Sequence, residues 1–116
     1  MRIFDWSTIP SYPLRSGVRR KVFTGEGAML LMTEMDSGST EPPHTHPFEQ
    51  LVFVVEGEVE FTLGDRVHAV PAGSVFRVPP GAPHGASARG GKPCRLLAVY
   101  GPPRADCIPY CGYQKE

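Results

Sequence analysis

His44 and His46 stand two residues apart in the stretch from Gly38 to Gly57, GSTEPPHTHPFEQLVFVVEG, just ahead of a strongly apolar segment. In a β-strand alternate side chains share a face, so two imidazoles at this spacing can aim at one point and grip a metal ion. The same parity runs on through Gln50, Val52 and Val54, which sets Gln50 on the histidine side and Glu49 opposite. Pro47 interrupts the count, because proline removes a backbone donor and often marks a bulge or bend. Gln50 is the favoured third ligand on this reading, with Glu49 as its competitor.

The elements that must position these groups read as short strands. Thirteen glycines and thirteen prolines in 116 residues leave little room for long helices. They punctuate the chain about every ten residues, as in a sandwich or barrel. Residues 1–16 read as an irregular arm, with Phe4 and Trp6 tucked against the body or a second subunit, and 18–23 as a basic edge strand. Residues 28–35 form a strand bracketed by glycines, and 51–55 a buried strand. Residues 58–63 alternate, with Val59, Phe61 and Leu63 inward. Residues 66–70 and 74–78 return as strands, 79–83 form a stiff loop delivering His84, and 95–100 are the last strand. The proline-bearing tail cannot join a central sheet. The expectation is one domain, residues 1–116, with a core at about 18–100, an arm over 1–17 and a tail over 101–116.

Twelve basic and twelve acidic side chains cancel, so no global field recruits nucleic acid or an anionic membrane. The first residues lack the basic flank and apolar run of a signal peptide, and no apolar stretch approaches the roughly 20 residues of a membrane helix. Cys94, Cys107 and Cys111 are an odd count without paired spacing, which points to free thiols in a reducing, cytoplasmic setting. They have no partnered base, and a thiol nucleophile is not expected.

Two blocks line up. One is Gly38, His44-Thr45-His46, Gln50 and Gly57; the other is Gly73, Pro79-Pro80-Gly81 and His84, with fifteen residues between them. This pattern resembles the two motifs of the cupin superfamily. The resemblance implies an all-β fold, a single-domain antiparallel jelly-roll β-barrel, with a divalent metal held inside by His44, His46, Gln50 and His84. The usual acidic ligand is Gln50 here, as in cupins with a His-x-His-Pro-x-Glu-Gln segment, and the asparagine usual after the last histidine is Ala88. Such a ligand set brings no negative charge, suits manganese, iron, nickel or zinc, and leaves positions for substrate. His68 shares parity with Arg66 and reads as a solvent-facing residue.

A narrower resemblance covers Gly17 to Val22, the HTHPFEQ block and Val99 to Asp106. These are similar to small pectin-degradation cupins that ketonise unsaturated monouronates. Carried over by position, that family's aromatic is Tyr100 and its arginine is Arg104, while its inward acid is Ala98, which cannot transfer a proton. An arginine can grip a carboxylate and a tyrosine can donate or relay a proton. The run Arg19-Arg20-Lys21 and Arg77 read as solvated faces, and Phe48, Val52, Phe61 and Phe76 as barrel lining. The leading expectation is a metal-dependent isomerase, lyase or tautomerase acting on a carboxylated small molecule such as a sugar acid or keto acid. An iron-dependent oxygenase and a non-catalytic ligand-binding cupin are the alternatives. A homodimer is expected, with the apolar arm and tail packed across a two-fold axis.

Overall fold

The computed structural model describes residues 1–115; Glu116, the last residue of the expected tail, lies outside the described residues. The strands are β1 (Tyr12–Arg15), β2 (Val18–Thr24), β3 (Met29–Met35), β4 (Thr40–His44), β5 (Gln50–Glu56), β6 (Glu58–Leu63), β7 (Arg66–Pro71), β8 (Val75–Val78), β9 (His84–Ala88) and β10 (Cys94–Tyr100). They pair antiparallel in two sheets of a jelly roll, ordered β1-β2-β3-β10-β5-β8 and β4-β9-β6-β7. Among the described residues no helix is long and apolar enough to cross a membrane.

Alternation explains the layering. Val18, Arg20 and Val22 on β2, Val52 and Val54 on β5, Val59 and Phe61 on β6, and Leu96, Ala98 and Tyr100 on β10 turn inward and are buried. The interior divides into two clusters. Val54, Val59, Phe61, Val78, Ala86 and Leu96 belong to one, and Val22, Met29, Leu31, Ala98 and Tyr100 to the other. The tail closes the second cluster. It winds into a 3₁₀ helix, Ala105–Lys115, whose Cys107 and Cys111 are buried there. All three cysteines are free, and burial pushes the Cys94 thiol up to about 11, far from a thiolate at neutral pH.

Several sequence expectations change. The arm is not wholly irregular, since β1 forms within it; Pro13 is tolerated because β1 is an edge strand. With β1 outside it, β2 is an interior strand rather than an edge. Strand β5 is buried on one face only, Leu51 and Phe53 being exposed. His84 opens a strand, β9, instead of ending a loop; its small residues, Gly85, Ala86, Ser87 and Ala88, lack the bulky signature that marks strands in a sequence. Of the two readings of the arm, contact with the body is present within the chain. Phe4 meets Phe23 and Tyr113 edge to face at 5.5 and 5.7 Å, and Tyr12 stacks on Tyr110 at 3.6 Å.

Gly57 makes the tight link between β5 and β6. Its φ is +79°, and a Cβ there would sit 2.3 Å from the Pro93 carbonyl oxygen. Gly57→Ala is expected to lose at least ~1 kcal/mol from the left-handed backbone alone, before the clash. Thermal unfolding followed by circular dichroism should show a midpoint lower by several degrees.

Candidate metal centre

Strand β4 is an edge strand and carries Pro42 and Pro43, which have no N–H for the ladder. Its register with β9 shifts between Glu41 and His44, so a bulge lies at the prolines. A regular strand would put Glu41 and His44, three apart, on opposite faces; the bulge brings both to the interior side. Gly85 permits the close approach, because a Cβ there would meet the Glu41 carbonyl oxygen at 2.9 Å and the Pro43 nitrogen at 3.0 Å. His44 is thereby set opposite His84 in the ladder, with ring centroids 4.3 Å apart.

β4 ends at His44, and His46 lies in the bend that follows, not on the same continuous strand. Other contacts fix it. Its carbonyl accepts from the Gly81 N–H at 2.8 Å, tying the first sequence block to the second. Its ring stacks on Phe48, 4.4 Å between centroids. Gln50 opens β5 on the same face as Val52 and Val54, and Glu49 turns outward to an ion pair with Arg77.

Each histidine uses Nδ1 in the same way. His44 Nδ1 lies 3.1 Å from the Pro42 carbonyl oxygen, His46 Nδ1 2.9 Å from that of Phe48, and His84 Nδ1 2.9 Å from that of Ala82. A carbonyl can only accept, so Nδ1 carries the proton and Nε2 is left with a lone pair. The ring nitrogens of His44, His46 and His84 lie within 4.8 Å of one another. Small ring rotations bring that span within reach of one ion bonded at about 2.1 Å. His46 Nε2 faces Gln50 Oε1 at 3.0 Å, two acceptors in contact that a shared cation would satisfy together. The donor set therefore fits a divalent metal, with backbone carbonyls acting as the orienting outer partners.

His44, Gln50 and His84 line a small cavity of about 20 Å³, where the two core clusters meet. Phe61, Ala86, Leu96 and Ala98 give it apolar walls, and Arg20, Glu41 and Tyr100 give it polar groups. Arg20 corrects the reading of its run as a solvated face, since it points inward and is buried with Glu41. Arg20 Nη2 donates to Glu41 Oε1 at 3.0 Å, and that oxygen lies 3.9 Å from His44 Nε2. Sequence reasoning did not single out Glu41; the adjacent Pro-Pro pair is the signal that a bulge turns it inward.

Tyr100 is on the cavity wall, and burial raises its hydroxyl above the ordinary tyrosine range, partly offset by Arg104. Arg104 is not part of that wall. Its guanidinium is clamped by Asp106 at 3.2 and 2.8 Å, donates to the Tyr100 hydroxyl at 3.2 Å, and lies 5.0 Å from the Phe48 ring centre. His68 is exposed on β7, apart from the centre.

Comparison with known proteins follows the same lines. A family profile described as a cupin domain matches residues 31–100. Germin-like protein 1-1 of Oryza sativa subsp. japonica is 32% identical over 80 residues, 64% of this chain; the match spans 37% of that relative's length. The structure of KdgF from Halomonas sp. superposes with a TM-score of 0.82 at 24% identity, covering 91% of this chain and 97% of its own. The polyketide cyclase RemF of Streptomyces resistomycificus gives 0.79 at 23%, covering 100% of this chain and 94% of its own. At these identities the two structures share the fold.

Two outcomes test the centre. His46→Ala and His84→Ala are each expected to reduce the metal retained by protein purified without chelator at least tenfold, measured by elemental analysis against wild type. Burial holds His84 below the ordinary histidine range, with its Nδ1 bond to Ala82 opposing. The unfolded chain therefore takes up the His84 proton more readily than the folded chain, and unfolding gains as pH falls below ~6.5. Melting of metal-free protein should drop between pH 7 and pH 5, and His84→Gln should flatten part of that slope.

Proposed function

The chain belongs to the cupin domain family, and on that footing we propose that it is a metal-dependent enzyme of isomerase, lyase or tautomerase type. Its substrate is a small oxygen-rich acid, such as a sugar acid or keto acid. The observation that carries this reading is the convergence of three imidazoles and Gln50 beneath a small cavity whose polar wall is an arginine, a carboxylate and a tyrosine. A bound manganese, iron, nickel or zinc ion would supply Lewis-acid polarisation of a carbonyl, enolate or carboxylate oxygen.

The chain's own residues supply the rest. His44, His46, His84 and Gln50 would hold the ion without adding negative charge. The Tyr100 oxygen accepts from Arg104, so its own proton is free to donate to a substrate oxygen, and burial keeps that proton on it at neutral pH. Clamped by Asp106, Arg104 acts here by orienting Tyr100, in place of the carboxylate-gripping role the sequence suggested. Arg20 and Glu41 place a donor and an acceptor for the oxygens and hydroxyls of a polar acid on the facing wall. In the uronate-ketonising cupins the position of Ala98 carries the acid; here the carboxylate on the cavity wall is Glu41, contributed by the opposite sheet. Phe61, Leu96 and Ala98 exclude water from the remaining walls. The folds shared with KdgF and a polyketide cyclase support such chemistry without choosing the substrate.

Ala98 also favours a second reading, a non-catalytic module that captures a carboxylated ligand. A screen of uronates and keto acids, each followed by NMR with metal-loaded protein, separates the two. Turnover is expected, lost in His84→Ala and lowered about tenfold or more in kcat/KM by Glu41→Gln with metal content unchanged. Binding of a screened acid without change in its spectrum would establish the module. Full metal content and full turnover in His84→Ala would overturn the enzyme reading.

A further inference from the structure

Arg20 is a cation inside the protein, 8% exposed, whereas its neighbour Arg19 lies on the outer face and pairs with Asp36 and Glu34. A guanidinium buried for structure alone is best held by a two-oxygen fork, with its remaining donors satisfied. Arg20 instead gives Glu41 Oε1 a single bond, from Nη2 at 3.0 Å. Its Nε is buried and makes no hydrogen bond among the described residues. Tyr12 stands opposite in the β1–β2 ladder, and its buried hydroxyl is unpaired as well. Thr33 faces Arg20 in the β2–β3 ladder, so the two side chains share a face, and both line the cavity. Arg104, the arginine that the sequence puts forward for a carboxylate, lies off that wall and is bonded to Asp106 and Tyr100.

We infer that Arg20 and Thr33 form a carboxylate subsite whose ligand is a short 2-oxo or 2-hydroxy acid. This rests on the proposed function and narrows its substrate class. The planar guanidinium matches a carboxylate in shape and charge, and the Thr33 hydroxyl adds a donor beside it. Spacing sets the length of the acid. Arg20 Nη2 and His44 Nε2 both lie beside Glu41 Oε1, at 3.0 and 3.9 Å, so they are separated by no more than those two distances laid end to end. The cavity between them, about 20 Å³, has little more room than a water molecule needs. A ligand that reaches both ends must therefore carry its oxygens close together. Its carboxylate meets Arg20 and Thr33, and a keto or hydroxyl oxygen on the next carbon lies towards the histidines and Gln50. An acid whose second oxygen sits two carbons farther along overshoots, because Phe61, Leu96 and Ala98 close the remaining walls.

Isothermal titration calorimetry on protein purified without chelator tests this with three probes. They are pyruvate, levulinate, whose keto oxygen is two carbons farther from the carboxylate, and pyruvamide, which has no charge. Wild type is expected to bind pyruvate about tenfold or more tightly than either of the others. Arg20→Gln should remove the advantage over pyruvamide with metal content unchanged, Arg20→Lys should keep part of it, and Thr33→Val should weaken pyruvate about threefold. Arg20→Gln alone strands the Glu41 carboxylate in the interior. The double variant Arg20→Gln/Glu41→Gln, neutral at both positions, therefore repeats the measurement, with circular dichroism as the check on folding. A wild type that binds none of the probes, or binds levulinate or pyruvamide as tightly as pyruvate, would overturn the inference. So would a single or double variant at Arg20 that keeps the advantage, or its loss in Arg104→Gln but not in Arg20→Gln. Because binding alone is read, the subsite stands in a protein that turns over none of the screened acids, and it falls in an active enzyme whose Arg20→Gln variant keeps the wild-type KM.

Discussion

Three hydrogen bonds from imidazole Nδ1 to a backbone carbonyl two residues away set the character of the interior. Each settles a tautomer, and together they leave three lone pairs facing one another beside a cavity of mixed apolar and polar walls. Such a grouping is costly to bury without a partner. The surrounding structure reads as the means of enforcing it. Gly81 ties the carbonyl of His46 to the second motif, Phe48 clamps its ring, and Gly85 lets two backbones approach until His44 and His84 touch.

Much of this was legible in the chain. The alternation on β6 and β10 and the glycine and proline punctuation identify a layered β fold, and the two motifs pick out the histidines before any geometry is known. What escaped has a common cause. Strand parity is a local rule, and it fails where backbone hydrogen bonding is interrupted. Pro42 and Pro43 break the ladder, so Glu41 swings inward, and Arg20 follows because a buried carboxylate needs a cation beside it. The strand after His84 escaped for a different reason: its residues are small, Gly85 because β4 approaches closely there, and small residues carry little strand signal. The outer face of β5 was misread as interior because its run of apolar residues, Leu51 and Phe53 included, looks the same in a sequence as a strand buried on both faces.

Opposite Ala98 on β10, Glu41 reaches the cavity from β4 in the other sheet. The buried Arg20–Glu41 pair is electrically neutral as a unit and leaves the centre's own charge to whatever the histidines hold.

The two prolines of β4 have an effect beyond the cavity they shape. Strand β4 is the last of its sheet, and an unpaired strand edge offers a row of donors and acceptors on which another chain can grow. With no N–H at positions 42 and 43 and a bulge between its ends, this edge cannot template such growth. The same two rings that turn Glu41 inward thus guard the protein against fibrillar self-association along that edge.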